Sequence, residues 1–255
     1  MEWPYIEYIP AGIKSQWVNK LTAISKRLNI LPEWLMVVMY QESKLNPQAK
    51  NGNSAVGLIQ FTNATVKITK KSLAEIYRMN HLQQLDLVEA YIKAAMDWKG
   101  PIRSLGDLYI VTFAPQYLRS SNATICFAKG TAGYNGNKAL DFNKDGQISR
   151  ADVVNFIQDK VPVTHKDAVA FNPSGGGVPS SFTGNGTAQQ PGDRGVWSEP
   201  SDPTQGDPGK AAPDWYDQKD YEPQGITIQP WFPYALVAAA VVVVGLFSAV
   251  VLTKK

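Results

Sequence analysis

Apolar residues recur at helical spacing through the first two thirds of the chain and lose that pattern afterwards. Trp17, Leu21, Ile24 and Leu28 share one face and Asn29 closes the run, which predicts an amphipathic helix. Leu31-Pro32-Glu33 reads as the next helix start, since proline suits the first turn and an acid favours the positive end of the dipole. Leu35, Val38, Met39 and Glu42 then follow at steps of three and four, so Glu42 is expected at the end of an apolar stripe. Asn46-Pro47 is expected to stop this helix.

Ser72 and Glu75 read as a capping box that opens a short helix. The run HLQQLDLVEAYIKAAMDW repeats the helical pattern through Leu82, Leu85, Val88, Ile92 and Met96, and Gly100-Pro101 ends it. Asp107 is a candidate cap for LYIVTFA, which stops at Pro115. No alternating strand or hairpin pattern stands out, so the fold class is mainly α.

Composition divides the chain. Residues 15–163 form the expected folded domain, with residues 1–14 an unassigned N-terminal segment. Residues 164–230 are rich in Gly, Pro, Ser, Asp and Gln and cannot bury enough apolar surface to offset their ordering entropy, so they are expected to be a disordered linker. About sixty such residues would give a mean reach of about 40 Å. Residues 231–253 are uncharged and long enough for a C-terminal transmembrane helix, with Trp231, Phe232 and Tyr234 at one interface and the basic tail 254–255 at the other. Two topologies follow. The terminal lysines favour a tail in the cytoplasm, whereas a lone last span inserts more simply from the cytosol and leaves the folded part there. No secretory signal pattern is visible in MEWPYIEYIPAG.

Charge narrows the function classes. The formal net charge is only +3 and the 25 Lys and Arg residues are scattered, so there is no basic stripe for nucleic acid. The single cysteine, Cys126, rules out an intramolecular disulfide and is expected to be a buried thiol.

Glu42 is the candidate for chemistry. A carboxyl group on an apolar face is desolvated, which favours its protonated form, and such a group can act as a general acid near neutral pH. Glu33, Glu75, Asp86 and Glu89 read more simply as helix-surface or capping charges.

Glu42-Ser43, then Asn46-Pro47, then Ser54-Ala55-Val56-Gly57-Leu58-Ile59-Gln60-Phe61, resembles the first two motifs of the soluble lytic transglycosylase domain, a lysozyme-like fold. Ile59 stands where that family usually has Met, and the third motif, usually Ala-Tyr-Asn, has Tyr109 to Pro115 in its place. Gln84-Leu85-Asp86, Tyr91, Lys129-Gly130 and Tyr134 to Asn137 are similar to a subgroup frequent in bacteriophage genomes. The resemblance implies a single catalytic acid, Glu42, and no catalytic cofactor. It also implies that Ser43 steadies the Glu42 carboxylate, that Gly57 lets the backbone approach the glycan, and that Leu58, Gln60, Tyr109 and Tyr134 support or contact substrate.

A second motif spans 141–152. Asp141, Asn143 and Asp145 at positions 1, 3 and 5, Gly146 at 6, Gln147 at 7 and Asp152 at 12 match an EF-hand-like Ca2+ loop. With one loop only, a structural role for calcium is expected rather than a sensing switch.

These readings combine into a membrane-anchored enzyme that cleaves peptidoglycan glycan strands. Residues 231–253 are expected to partner the lipid bilayer of a phage virion or host cell, with virion proteins as further partners. Two alternatives stay open: a hydrolytic muramidase of the same fold, and a non-catalytic glycan-binding virion protein.

Overall fold

Helix α2 (Pro32–Ser43) runs through the middle of the domain, with Trp34 to Met39 all buried. The expected apolar stripe is therefore a helix that is hydrophobic on every side, as helices at the centre of a domain are. The computed structural model describes residues 3–52, 54–170 and 211–216. The expected transmembrane run at 231–253 lies outside the described residues, and among those described no helix is long and apolar enough to cross a membrane.

Around α2 the elements form much as the periodicity predicts. Helix α1 (Lys14–Leu28) buries Trp17, Leu21, Ile24 and Leu28, and ends with Asn29 in the left-handed region. The Trp17 indole N–H points at Met36 Sδ, 3.3 Å away, and pins α1 to the central helix. Helix α2 opens on Pro32 as expected. It closes at Ser43, ahead of Asn46-Pro47, because Lys44 and Leu45 both take positive φ, 56° and 60°.

Two short hairpins were not foreseen. Strands β1 (Lys50–Asn51) and β2 (Ala55–Val56) pair antiparallel with Asn51 opposite Ala55. Later in the chain β3 (Ile125–Ala128) pairs with β4 (Gln147–Ser149), with the short helix α7 (Ala132–Gly136) between them in sequence. Two to four residues are too few to display an alternating pattern in the sequence.

Helices α3 (Asn63–Thr69), α4 (Leu73–Arg78) and α5 (His81–Lys99) follow the first hairpin. The Ser72–Glu75 capping box forms as expected, a second one joins Asn80 and Gln83, and Gly100 ends α5 at φ 95°. Helix α5 lies along α1, joined at its surface by Lys20–Asp86 at 2.7 Å and Arg27–Glu89 at 2.5 Å.

Helix α6 (Leu105–Phe113) is the second buried helix and touches α2. Its cap corrects one expectation: Ser104 accepts the Asp107 N–H, so Asp107 stands inside the first turn. The buried Asp107 carboxylate instead accepts from the Arg103 backbone at 2.9 Å, from Arg119 at 2.8 Å, and from Arg150. Arg150 opens helix α8 (Arg150–Asp159), which packs along α6. Gly106 makes that contact close, since a Cβ there would collide with Val154.

Two features extend the packed body beyond residue 163 and into the expected linker. Helix α9 (Lys166–Val169) receives the Trp34 indole N–H on its Val169 carbonyl at 2.8 Å. Further on, Trp215 is only 9 % exposed, edge-on to Tyr91 and Trp98 of α5 at 6.4 and 5.6 Å, and Tyr216 lies 4.5 Å from Trp98. The segment 211–216 is therefore docked, and the composition that predicts a linker does not describe it.

Candidate active site

Glu42 projects from the last turn of α2, half-buried, at the junction with α6. Tyr109 of α6 is buried and its hydroxyl lies within side-chain hydrogen-bonding reach of the Glu42 carboxyl. Burial pushes the Glu42 carboxyl up to about 8, partly offset by the Lys44 ammonium and by the nearby Tyr109 hydroxyl, both of which favour the carboxylate. The Tyr109 hydroxyl is in turn held well above the ordinary phenol range by burial and by the neighbouring acid. Burial thus favours the protonated form of Glu42, and the Tyr109 hydroxyl stands near its charged form. Among the described residues no second carboxylate is one of the groups that perturb it.

The acids set aside in the sequence reading have structural partners. Glu75 closes its capping box, while Asp86 and Glu89 pair with Lys20 and Arg27. Glu33 sits in the first turn of α2 and is raised by burial.

Ser43 bonds the main chain. Its buried hydroxyl lies 2.9 Å from both the Met39 and the Leu58 carbonyls, and so ties the end of α2 to the loop after β2. That loop is built around a residue whose role the sequence reading missed. Gln84 of α5 is fully buried: its amide oxygen accepts the Leu58 N–H at 2.9 Å, and its amide nitrogen donates to Pro47 at 2.7 Å and Ile76 at 2.9 Å. Gly57, at φ 79°, lies against this side chain, and a Cβ would strike the Gln84 amide. Its small size makes room for Gln84. A polar residue on the apolar side of a helical pattern is the signal that could have found Gln84.

Leu58 is fully buried and anchors the loop through its backbone. Gln60 stays partly exposed at φ 53°, with its side-chain N–H donating to Gly57 at 3.0 Å. Phe61 bonds back to Val56, closing the turn.

Tyr134 is tied to the 141–152 loop. Its hydroxyl donates to Asp141 Oδ2 at 2.7 Å and, with the Asp145 and Gly146 amides, holds the Asp141 carboxyl below the usual carboxylate range. This is the expected calcium loop, and its turn forms: Gly146 takes φ 86°, and Asn143 and Asp145 accept the backbone N–H groups of Asp145 and Gln147. The side-chain oxygens of 141, 143 and 145 gather at one turn. Asp152 accepts instead from Ser149 at the head of α8, and among the described residues no cluster of three or more His, Cys, Asp or Glu is placed to hold a metal. Three of the expected ligand residues thus share one turn, while the twelfth caps a helix. Cys126 is buried, as expected, and burial pushes its thiol up to about 12.

Comparison with known proteins bears on the acid side of this site. Residues 20–97 match the transglycosylase SLT domain. The match runs from α1 through the Glu42 loop and most of α5, and it stops before Tyr109 and the 141–152 loop. It supports lytic transglycosylase activity on peptidoglycan in general terms, on a mainly helical fold of lysozyme type. No curated protein and no solved structure matches the chain.

Proposed function

We propose that this protein is a peptidoglycan lytic transglycosylase in which Glu42 serves in turn as the acid and the base. The observation that supports it is a desolvated carboxyl, raised to about 8, beside Tyr109 and Lys44, with no second acid perturbing it. Protonated Glu42 gives its proton to the oxygen leaving N-acetylmuramic acid as the bond from C1 breaks. The sugar's own acetamido oxygen stabilises the cation at C1, and the new Glu42 carboxylate is met by the Tyr109 hydroxyl and the Lys44 field. Glu42 then takes the proton of the C6 hydroxyl as O6 bonds to C1. The product is an anhydro ring and no water is consumed. A two-carboxylate glycosidase would need a second acid about 5 to 9 Å away.

Glu42→Gln, assayed on purified sacculi, is expected to lose activity by about 10²–10⁴-fold, the usual contribution of a general acid. Mass spectrometry of the wild-type digest should show anhydro ends. Reducing ends would instead indicate a hydrolytic muramidase, and unchanged wall damage by Glu42→Gln a non-catalytic glycan binder.

The same reading places the enzyme on a membrane through residues 231–253, in a phage virion or the host cell, where it would act on the wall during entry or lysis. The uncharged run itself supports this. Calcium would be held by Asp141, Asn143, Asp145 and the Gln147 carbonyl, with Asp152 turning from its cap to complete the shell, and would brace α8 without joining the chemistry. Calcium is expected to raise the melting temperature by several degrees and EDTA to reverse it; a flat calorimetric titration would remove the ion from this account.

A further inference from the structure

Tyr5 is a half-buried aromatic residue held at a φ of 63°, where a bulky side chain is strained. It belongs to the N-terminal segment that the sequence left unassigned, ahead of the family match, and Ile6 and Ile9 beside it are buried in the core. Its two ends hold different elements. The ring lies flat on Tyr40 of α2, with centroids 3.6 Å apart and planes 5° apart. The hydroxyl donates to the carbonyl of Lys160, the residue that follows α8. Burial pushes the Tyr5 phenol up to about 12, so it remains a donor at neutral pH.

Each end leads to one half of the candidate site. Tyr40 stands in the last turn of α2 with Glu42, and its carbonyl accepts the Lys44 N–H at 2.9 Å, which closes that turn. The chain then leaves through Lys44 and Leu45 at positive φ, a shape that non-glycine residues keep only where their surroundings impose it. Leu45 is buried, the Lys44 ammonium sits 4.2 Å over the Tyr40 ring, and Tyr8 closes edge-on upon the same ring at 4.8 Å. At the other end, α8 packs along α6, and its Phe156 stacks on Tyr109 at 5.9 Å. The last turn of a helix is where fraying begins, and here that turn carries the acid. Ser43 ties it to the loop after β2, and Tyr5 ties it to the helix that backs Tyr109.

Resting on the reading of Glu42 as the acid, we propose that Tyr5 is a positioning residue, a strut between the ends of α2 and α8 that fixes where Glu42 stands against the facing helices. Its effect reaches the acid through the Tyr40 ring and the turn that Tyr40 closes. Loosening the strut leaves substrate binding intact and costs turnover, because a general acid displaced from the leaving oxygen transfers its proton poorly.

The test uses the full chain in detergent and reads turnover on soluble glycan strands. Tyr5→Leu removes both ends of the strut, Tyr40→Leu removes its seat, and Tyr5→Phe keeps the ring but frees α8. Each is expected to lower kcat about tenfold with KM within about twofold of wild type, and Tyr5→Leu with Tyr40→Leu together no further than either alone. Multiplied losses in the double variant, a loss carried by KM, or wild-type kcat in Tyr5→Phe would overturn the strut. Amide exchange gives a readout that needs no turnover: in Tyr5→Phe the Lys44 and Leu45 amides should exchange about tenfold faster while those of α1 keep their protection, which also controls for folding. Unchanged protection at Lys44 and Leu45 overturns the proposal whatever the activity. A wild-type chain that releases no anhydro ends tells against the enzymatic reading alone.

Discussion

The two sides of the candidate site are held by different means. On the side that carries Glu42, the constraints fall on the backbone: Gly57 and Gln60 at positive φ, Ser43 bonded to two carbonyls, and Gln84 reaching three separate stretches of main chain. On the side that carries Tyr109, they fall on side chains: the Phe156 ring, Val154 against Gly106, and Asp107 between two arginines. A backbone constraint admits few residue types and so leaves a recognisable word, such as ES…NP…SAVGLIQF. Packing constraints can be met in many ways, and they leave none. The family match covers the first side and ends before the second.

This contrast can be broken by mutation, and the largest effect is expected on the packed side. Asp107→Ala leaves the Arg119 and Arg150 guanidinium groups partly buried without their carboxylate, at a cost of about 3–5 kcal/mol. Thermal melts should fall by about 10 °C. A loss under about 1 kcal/mol would mean that α6 and α8 hold together by apolar contact alone.

On the backbone side, Gly57→Ala should cost about 2–3 kcal/mol, from the positive φ and the collision with Gln84. Made together with Gln84→Ala, the same change should cost less than it does alone, because the obstructing amide is gone. Strict additivity in denaturant melts would show that Gly57 answers to the backbone angle only.

The smallest effect joins the two sides. Activity needs Glu42 protonated, so it should be full below about pH 8 and fall tenfold per unit above it. Tyr109 donates to the carboxylate and so lowers that value; Tyr109→Phe should move the alkaline limb upward by somewhat under one unit, as about 1 kcal/mol from one hydrogen bond allows. A limb that stays in place would separate Tyr109 from the acid's charge.

The same division explains what was legible beforehand. Helix α1, the Pro32 start, the Ser72–Glu75 box and the Gly100 stop were read because local chemistry decides them. Ser104 lost to Asp107 as the cap of α6 since both types cap well, although Ser followed three residues later by Asp is itself a capping pattern. Glu42 was found by phase and by motif. Tyr109 stands out in the sequence as an aromatic, but its approach to Glu42 spans 67 residues of chain, and no local pattern encodes it. Tyr134 was assigned to sugar for the same lack, and its partner proved to be Asp141. Ser43 and Gly57 stand out by motif, while their contacts with the Leu58 carbonyl and Gln84 depend on distant parts of the chain.

The docked Trp215 bears on how far the enzyme can travel. If the domain were free from residue 164 onward, the chain up to the apolar run at Trp231 could stretch over about 230 Å at full extension. With Trp215 and Tyr216 seated on α5, only the 14 residues 217–230 separate the body from that run, and they can span at most about 50 Å. On a membrane, two aromatic rings would thus act as a stop on the leash, confining cleavage to the glycan layers nearest the bilayer until they let go.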